Sequence, residues 1–313
     1  MEAIRTEGLR KQFGAVHALS GLDLHVEPGS VFGFLGPNGA GKTTTIRILT
    51  GLAWATGGRA WVTGVEIPAG SKEVAHRIGY LPEEPAFYPW MTARELLEHV
   101  GRTFGLSRSD REARIDELLA LTGLAEAARR RIGGFSHGMR QRLGIAQALV
   151  NRPAVLFLDE PVSALDPAGR RDVLELIGRL KGETTVFMST HILADVERVC
   201  DTVGIIANGQ MLVTARQDEL LARYATPAFE IETDAESAAG LASWAERARR
   251  TPWAAEVTID GRAARVIVHD VAQAKRELLP LALEAGLTLA RYEIVRPSLE
   301  DVFLHLVENG GAE

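Results

Sequence analysis

Short apolar runs and alternating segments, spread between residues 22 and 189, predict the strands of a sheet. Residues 31–35 and 154–158 are apolar almost throughout, which is typical of strands buried on both faces of a parallel sheet. A similar run at 185–189 predicts one more buried strand. Residues 22–26 alternate between apolar and polar side chains, which indicates a strand with one buried face. We therefore predict an α/β core built on a sheet with a parallel centre.

A helical pattern interrupts these strands at about residues 92–150. Thr92 is followed three residues later by Glu95, which is the spacing of a helix capping box. Ile115, Leu118 and Leu119 then fall on one face of a second helix. We predict a helical insert, or subdomain, inside the sheet core.

The pattern changes again near residue 227. The predicted order is β-α-β-β-α-β, which is typical of a small α+β ferredoxin-like domain. Its elements are a strand at 229–232, a helix at 235–250, strands at 255–260 and 264–269 joined at Asp260-Gly261, a helix at 271–285 and a strand at 287–295. We predict a domain at 1–226 and an accessory domain at 227–313, which ends in a capped helix at Pro297–Phe303.

Composition limits the class of protein. With 313 residues, 46% hydrophobic and 24% charged, the chain has an ordinary globular composition and room for two domains. A net charge of −6 gives no electrostatic reason to expect nucleic acid as a partner. The single cysteine, Cys200, cannot form an internal disulfide. With no run of about 20 apolar residues and no secretory signal at the start, we expect a cytosolic chain whose membrane role depends on a partner.

The residues with the clearest chemistry are Gly36 to Thr43, which read Gly-Pro-Asn-Gly-Ala-Gly-Lys-Thr. They follow a predicted strand and precede a predicted helix, which is the context of a phosphate-binding loop. Glycines allow backbone N–H groups to surround phosphate oxygens, and the helix N-terminus faces the same anion. Lys42 can reach the β- and γ-phosphates, and the Thr43 hydroxyl can bind Mg²⁺. The alternative is a glycine-rich turn with an exposed lysine.

Further motifs follow this loop along the chain. Asp159 and Glu160 end an apolar strand, Asp166 precedes Pro167 at a predicted helix start, and His191 follows the last buried strand. The segment Phe135-Ser136-His137-Gly138-Met139 opens another helix. Together with the glycine loop and an upstream aromatic residue, Phe13, these motifs resemble the ATP-binding subunits of ABC transporters over roughly residues 3–220.

The resemblance implies the family's fold and its hydrolytic site. Lys42 would neutralise phosphate, Thr43 and Asp159 would hold Mg²⁺, Glu160 would polarise the attacking water, and His191 would bridge that water to the γ-phosphate. Beyond Lys42 and Thr43, the residues implied to contact ATP are Phe13, Gly36, Pro37, Asn38, Gly39, Ala40, Gly41, Thr44, Glu83, Ser136, His137, Gly138 and Asp166.

Two departures from the family pattern matter. His137 and Met139 replace a glycine and the glutamine of the usual Leu-Ser-Gly-Gly-Gln signature. Glu83 stands where the family usually has glutamine, so we expect it near Mg²⁺ or the attacking water. These variants and the Pro297–Phe303 ending are similar to exporters of the drug-resistance type, which implies export through a separate multi-span membrane permease.

Each assigned residue also has an ordinary structural explanation that the sequence leaves open. Phe13 could belong to the core, and His191 could be a structural histidine. Glu160 could be a charge at a helix N-terminus, and Glu83 a solvated loop acid. His137 could simply neighbour a helix cap.

The resemblance also implies partners. One half-site per chain implies a head-to-tail homodimer, or a pair with a similar ATPase subunit, in which Ser136 and Gly138 face the other protomer's ATP. Such a protein would be peripheral, at the cytoplasmic face of the membrane. The rival is a soluble ABC ATPase that acts on nucleic acid or ribosomes; the acidic charge and the lack of a heptad insertion or second ATPase domain argue against it. A binding module without hydrolysis conflicts with the presence of Lys42, Asp159 and Glu160.

Overall fold

The computed structural model describes residues 2–224, 228–235, 237–295 and 299. Contacts divide the chain into two compact units, Met1–Gln217 and Asp218–Glu313. The boundary that the sequence predicts, between residues 226 and 227, falls outside the described residues and stays a prediction. So does the terminal helix at Pro297–Phe303, of which only Leu299 is described.

The first unit contains two sheets. Its strands are β1 Ile4–Phe13, β2 Val16–Val26, β3 Val31–Leu35, β4 Gly57–Val62, β5 Val65–Ile67, β6 Ile78–Leu81, β7 Val155–Asp159, β8 Thr185–Thr190, β9 Thr202–Ala207 and β10 Gln210–Arg216. Its central sheet has the order β10-β9-β3-β8-β7-β6, with every neighbouring pair from β9 to β6 parallel. A second, antiparallel sheet has the order β2-β1-β4-β5.

The register of the central sheet positions the site. Leu35 pairs with Thr190, and Asp159 pairs with Ser189. Because parallel strands end at the same edge, the segments after β3, β7 and β8 meet there. Strands β3, β7 and β8 are buried along their whole length, as their apolar sequences predict.

Several helices of the first unit begin at a residue whose side chain caps them. They are α1 Lys42–Leu49, α2 Ser71–Ala75, α3 Ala93–Thr103, α4 Arg108–Leu121, α5 His137–Ala148, α6 Pro167–Arg179 and α7 Leu193–Val199, followed by α8 Gln217–Tyr224 at the division of the chain. The predicted capping box of Thr92 and Glu95 is present, and Asp166 accepts a hydrogen bond from Gly169 N–H with Pro167 in the first turn. From α3 to α5 the described helices form the predicted helical subdomain.

A core of apolar side chains joins the two sheets of the first unit. It combines residues of β1, β2 and β4 with residues of β3, β7 and β8. At its centre Phe187 stacks on Phe32, with ring centroids 5.3 Å apart and an angle of 6° between the planes. Phe34 and Phe157 contact the same ring. This packing holds the strands whose ends form the site.

The second unit has the predicted ferredoxin-like topology. Its elements are β11 Ala228–Thr233, α9 Leu241–Arg249, β12 Ala254–Asp260, β13 Ala263–Val268, α10 Val271–Glu284 and β14 Leu289–Val295. The sheet is antiparallel with the order β12-β13-β11-β14. Leu278 and Ala282 of α10 are buried in its core, and Leu281 and Ala285 pack against it, as the apolar stripe predicts.

Two details of the second unit differ from the sequence expectation. The helix predicted at 235–250 is an α-helix only from residue 241, because Ser237 and Gly240 donate hydrogen bonds three residues back and form a 3₁₀ turn. Gly240 also lies so close to Leu287 that a Cβ there would be 3.0 Å from that side chain. The hairpin turns at Gly261-Arg262 and not at Asp260-Gly261, because Asp260 still pairs with Ala263.

No helix in the described part of the chain is long and apolar enough to cross a bilayer.

A close contact between β6 and α5 provides a test of this packing. A Cβ on Gly79 would lie 2.1 Å from the Ala148 carbonyl oxygen, so we expect Gly79→Ala to destabilise the protein by about 1–3 kcal/mol. The control is Gly178→Ala in α6, where a Cβ meets nothing within 4 Å and helix propensity should stabilise by up to about 1 kcal/mol. Thermal unfolding followed by circular dichroism measures both. Equal midpoints for the two variants would contradict the close contact.

Candidate functional site

Sterics explain the glycines of the loop between β3 and α1. A Cβ on Gly36 would lie 2.4 Å from the Ile206 carbonyl oxygen, and one on Gly41 would lie 2.7 Å from the Ala18 carbonyl oxygen. Gly39 and Gly41 also have positive φ angles of 82° and 109°, which favour glycine. The backbone therefore folds tightly in front of α1, as a phosphate-binding loop requires.

Lys42, the first residue of α1, points back under this loop. Its side chain is 6% exposed, and its Nζ donates to the Gly36 carbonyl at 2.6 Å and to the Pro37 carbonyl at 3.2 Å. The same Nζ lies 3.3 Å from Oε1 of Glu160. A buried cation is thus held at the mouth of the loop by two carbonyls and one carboxylate.

Hydroxyl and carboxylate oxygens converge beside this lysine. The Thr43 hydroxyl donates to Oδ1 of Asp159 at 3.1 Å, and the Ser189 hydroxyl donates to the same oxygen at 2.7 Å. Hard oxygen donors of this kind are the ligands that Mg²⁺ prefers, usually one or two carboxylates together with substrate phosphates. Thr43 and Asp159 therefore fit the metal site that the sequence assigned to them.

Glu160 occupies an unusual backbone conformation. Its φ angle is +47°, uncommon for a residue other than glycine, and its N–H donates to the hydroxyl and to the carbonyl of Ser189 at 3.0 and 3.2 Å. The side chain is 8% exposed, and its Oε2 lies 3.0 Å from Nδ1 of His191. His191 is 46% exposed, so its ring links the buried carboxylate to solvent.

Lys42, Thr43, Glu160 and His191 line one cleft of about 400 Å³, and Asp159 and Ser189 contact this lining from behind. It brings together most of the residues assigned to the phosphates, the metal ion and the attacking water, including Glu83 from the segment after β6. The lining residues are Ala18, Pro37, Asn38, Gly39, Gly41, Lys42, Thr43, Thr44, Glu83, Glu160 and His191. Gly36 and Ala40 belong to the same loop but are buried behind its surface.

Phe13 does not line this cleft. It ends β1 with 53% of its surface exposed, and the Lys11 ammonium lies 4.6 Å above the ring. Phe13 therefore does not belong to the core, which was the structural alternative for it. Its contact with ATP stays a prediction.

The signature residues and Asp166 lie at the N-termini of α5 and α6, away from the cleft lining. Ser136 caps α5 by accepting a hydrogen bond from the N–H of Met139. A Cβ on Gly138 would be 3.8 Å from the Gly169 backbone, so the two helix starts lie side by side. Nδ1 of His137 is buried and has no hydrogen-bond partner within the described residues. This placement is what a role toward another protomer's nucleotide would need.

Sequence reasoning missed two contributors to the site. Ser189 organises both Asp159 and the Glu160 backbone, and Ala18 lines the cleft from β2. Ser189 was recognisable as a polar residue at the end of a buried strand. Its pairing with Asp159 depends on the strand register, which only the fold supplies.

Burial and the Asp159 carboxylate raise the pKa of Tyr80 above its ordinary value of 10.0. Tyr80 lies in β6, two residues before the segment that carries Glu83. Its phenol therefore stays neutral beside the acidic end of the site.

Comparison with known proteins agrees with this geometry. The family described as "ABC transporter" matches residues 19–163, and the "ATP-binding protein DrrA1-3-like, C-terminal domain" matches residues 217–307. The bacitracin transport ATP-binding protein BcrA of Bacillus licheniformis is 38% identical over 98% of both chains. The daunorubicin resistance ATP-binding protein DrrA3 of Streptomyces coeruleorubidus is 36% identical, covering 97% of this chain and 95% of its own length.

A solved structure of an ATP-binding subunit of an ABC transporter superposes with a TM-score of 0.64 and 30% identity. The superposition covers 71% of this chain and 93% of the chain in the solved structure. The cleft, its loop and these full-length similarities lead to one conclusion: the chain belongs to the ATP-binding subunits of the ABC transporter family, which hydrolyse ATP to power transport.

Proposed function

We propose that this ATPase powers an exporter of the drug-resistance type through a separate multi-span membrane subunit. The observation that carries the assignment of the site is the contact series from Lys42 to Glu160 to His191, next to Thr43 and Asp159. It places a cation, a carboxylate and an imidazole around one cleft. The names of BcrA and DrrA3 support drug transport or resistance as the biological setting.

The glycine loop and Lys42 bind the triphosphate. Loop N–H groups and the N-terminus of α1 face the phosphate oxygens, and Lys42 supplies a full positive charge. Because the Lys42 ammonium lies 3.3 Å from Glu160, we infer that the phosphate replaces this carboxylate as its anionic partner. Nucleotide binding thereby frees the Glu160 carboxylate to act on the attacking water.

Thr43 and Asp159 would hold Mg²⁺, directly or through water, and the bound ion would neutralise negative charge at the phosphates. Ser189 and Thr43 both donate hydrogen bonds to Oδ1 of Asp159 and so orient the carboxylate. Glu83 lines the same cleft, and its carboxylate can sense the metal and the membrane partner.

Glu160 acts as the general base. Its carboxylate accepts a proton from the attacking water and polarises that water toward the γ-phosphate. His191 contacts Glu160 through Nδ1 and, on the exposed side of the cleft, bridges the water to the phosphate. Most of the catalysis comes from positioning and from stabilised charge.

The second half of each site comes from another protomer. The N-terminus of α5, capped by Ser136 and carrying His137 and Gly138, faces the partner's nucleotide, and Asp166 lies beside it. A head-to-tail homodimer, or a pair with a similar ATPase subunit, then holds two ATP molecules. Its closing and opening drive transport.

The membrane subunit docks beside Glu83 and α3. Between β6 and α3 two aromatic side chains, Tyr88 and Trp90, pack together with ring centroids 5.2 Å apart. They are 53% and 66% exposed, which is unusual for large apolar residues and favours a binding role. The chain is then peripheral at the cytoplasmic face of the membrane.

Glu160→Gln tests the general base. The amide keeps the shape but cannot accept the proton, so turnover should fall by about 100-fold or more. ATP affinity should be retained because no cation to phosphate contact is removed. ATP-bound dimers should accumulate on a sizing column. Turnover near wild type would show that another group is the base.

The matched control is Lys42→Ala. It removes the cation closest to the phosphates, so ATP affinity itself should fall by about 30-fold or more, measured by calorimetry. Unchanged affinity would contradict the phosphate-binding loop. An unfolding midpoint close to that of wild type would show that the variant is folded.

Glu83→Gln separates sensing from chemistry. If Glu83 senses the metal and the membrane partner, the glutamine that the family usually has should retain ATPase activity within a few-fold. A loss as large as that of Glu160→Gln would mean that the Glu83 carboxylate takes part in the reaction. Steady-state turnover at saturating ATP measures both variants side by side.

Affinity purification from detergent-solubilised membranes tests the partner. We expect the full chain to recover a multi-span protein, whereas ribosomes or DNA would favour the soluble rival.

A chain ending near Thr226 should still bind ATP but dimerise and recover the membrane subunit more weakly, because the accessory domain holds partners together. Equal dimer mass and equal recovery would reduce the accessory domain to a stabilising appendage.

A further inference from the structure

A partly buried ion pair joins α6 to α7. Nε of Arg170 donates to Oδ1 of Asp195 at 2.6 Å, and the two side chains are 33% and 1% exposed. The other carboxylate oxygen, Oδ2 of Asp195, is buried without a hydrogen-bond partner in the described ranges. Burial raises the pKa of Asp195, and the Arg170 guanidinium opposes that rise. Within the part of the chain that the structure describes, Arg170 thus provides the hydrogen bond that holds this desolvated carboxylate.

This ion pair lies between two segments of the site. Arg170 is one turn after Asp166, and its N–H donates to the Asp166 carbonyl at 2.9 Å. Asp195 is four residues after His191, whose Nδ1 lies 3.0 Å from Glu160. The ion pair thus links the start of α6, beside the signature helix, to the histidine that contacts the general base.

Helix α7 has little to hold it in place by itself. It is seven residues long, and Ile192 at its N-cap makes no side-chain capping bond. Helices this short are not stable alone, so tertiary contacts must set its position. Two such contacts are the Asp195–Arg170 pair in its first turn and the fully buried Val196 at its centre.

The same two helices carry a second ion pair that serves as a reference. Arg198 of α7 and Glu175 of α6 lie 3.2 Å apart, with 43% and 51% of their side chains exposed. An exposed pair of this kind contributes little to stability. It joins the same helices but lies farther along α7 from His191.

We propose that Arg170 and Asp195 are positioning residues for ATP turnover. Their ion pair fixes the position of α7, and with it His191, relative to the start of α6. A rearrangement at that end of α6, which faces the other protomer, therefore changes the position of the catalytic histidine. This rests on the proposed function for the dimer and for the role of His191. The ion pair itself touches neither phosphate nor water.

The experiment compares Arg170→Met and Asp195→Asn with the reference variants Glu175→Gln and Arg198→Met in the full chain. We expect the first two to lower kcat about tenfold while KM for ATP changes less than about twofold. Arg170→Lys, which keeps the charge, should recover at least about half of the activity. The reference variants should stay within about twofold of wild type in both constants.

A second measurement reads His191 directly. In chains with isotope-labelled histidine, the NMR signal that disappears in His191→Gln identifies this ring. That signal should shift in Arg170→Met and Asp195→Asn and stay in place in the reference variants. If Asp195→Asn fails to fold, Arg170→Met and Arg170→Lys decide the question, since Arg170 is partly exposed.

Three results would overturn the proposal. One is a kcat within about twofold of wild type in Arg170→Met, or a change in KM alone. Another is an equal loss of kcat in the reference variants. The third is a lowered kcat with an unmoved His191 signal, which would make the pair a stabilising contact only. A wild-type chain without ATP-dependent dimers would instead defeat the proposed dimer, while the His191 signal would still report on the ion pair.

Discussion

The buried contact between Lys42 and Glu160 is the interaction on which the site depends. It joins the first residue of α1 to the residue after β7 across a distance of 3.3 Å, with both side chains less than a tenth exposed. A buried charge without its partner is costly, so the loop and the strand end must stay together. The loop before α1 and the end of β7 are therefore held as one unit.

The backbone conformation of Glu160 supports this contact. Glu160 has a positive φ angle, and two hydrogen bonds from its N–H to Ser189 hold it there. Strain of about 1–3 kcal/mol in such a conformation persists only where the surroundings over-determine it. Here the surroundings are the parallel register of β7 and β8, in which Asp159 pairs with Ser189. The sheet thus aims the carboxylate into the cleft.

The cleft residues and the ferredoxin-like sheet belong to different units of the chain. The first carries every cleft residue, whereas the second has a ferredoxin-like sheet whose core holds apolar side chains of α9 and α10. The matched relatives BcrA and DrrA3 align over almost their full length, so they share both parts. In these two relatives the ATPase part and the second part therefore occur together in one chain.

The sequence by itself determined the features that depend on near neighbours. The glycine loop, the capping box at Thr92, the N-cap at Asp166 and the buried strands all follow from residues a few positions apart. The motif order was enough to assign the family and to name Lys42 and Glu160. The β-α-β-β-α-β order of the second unit was also readable from periodicity.

Only the tertiary structure decided which of these residues meet. The contact of Ser189 with Asp159, and the ion pair of Arg170 with Asp195, join positions 30 and 25 residues apart. Nothing in a local window encodes such pairs, because strand register and helix packing are set by the whole core. The same packing left Phe13 exposed outside the cleft lining, and the 3₁₀ turn at Gly240 shortened a helix that composition alone favoured.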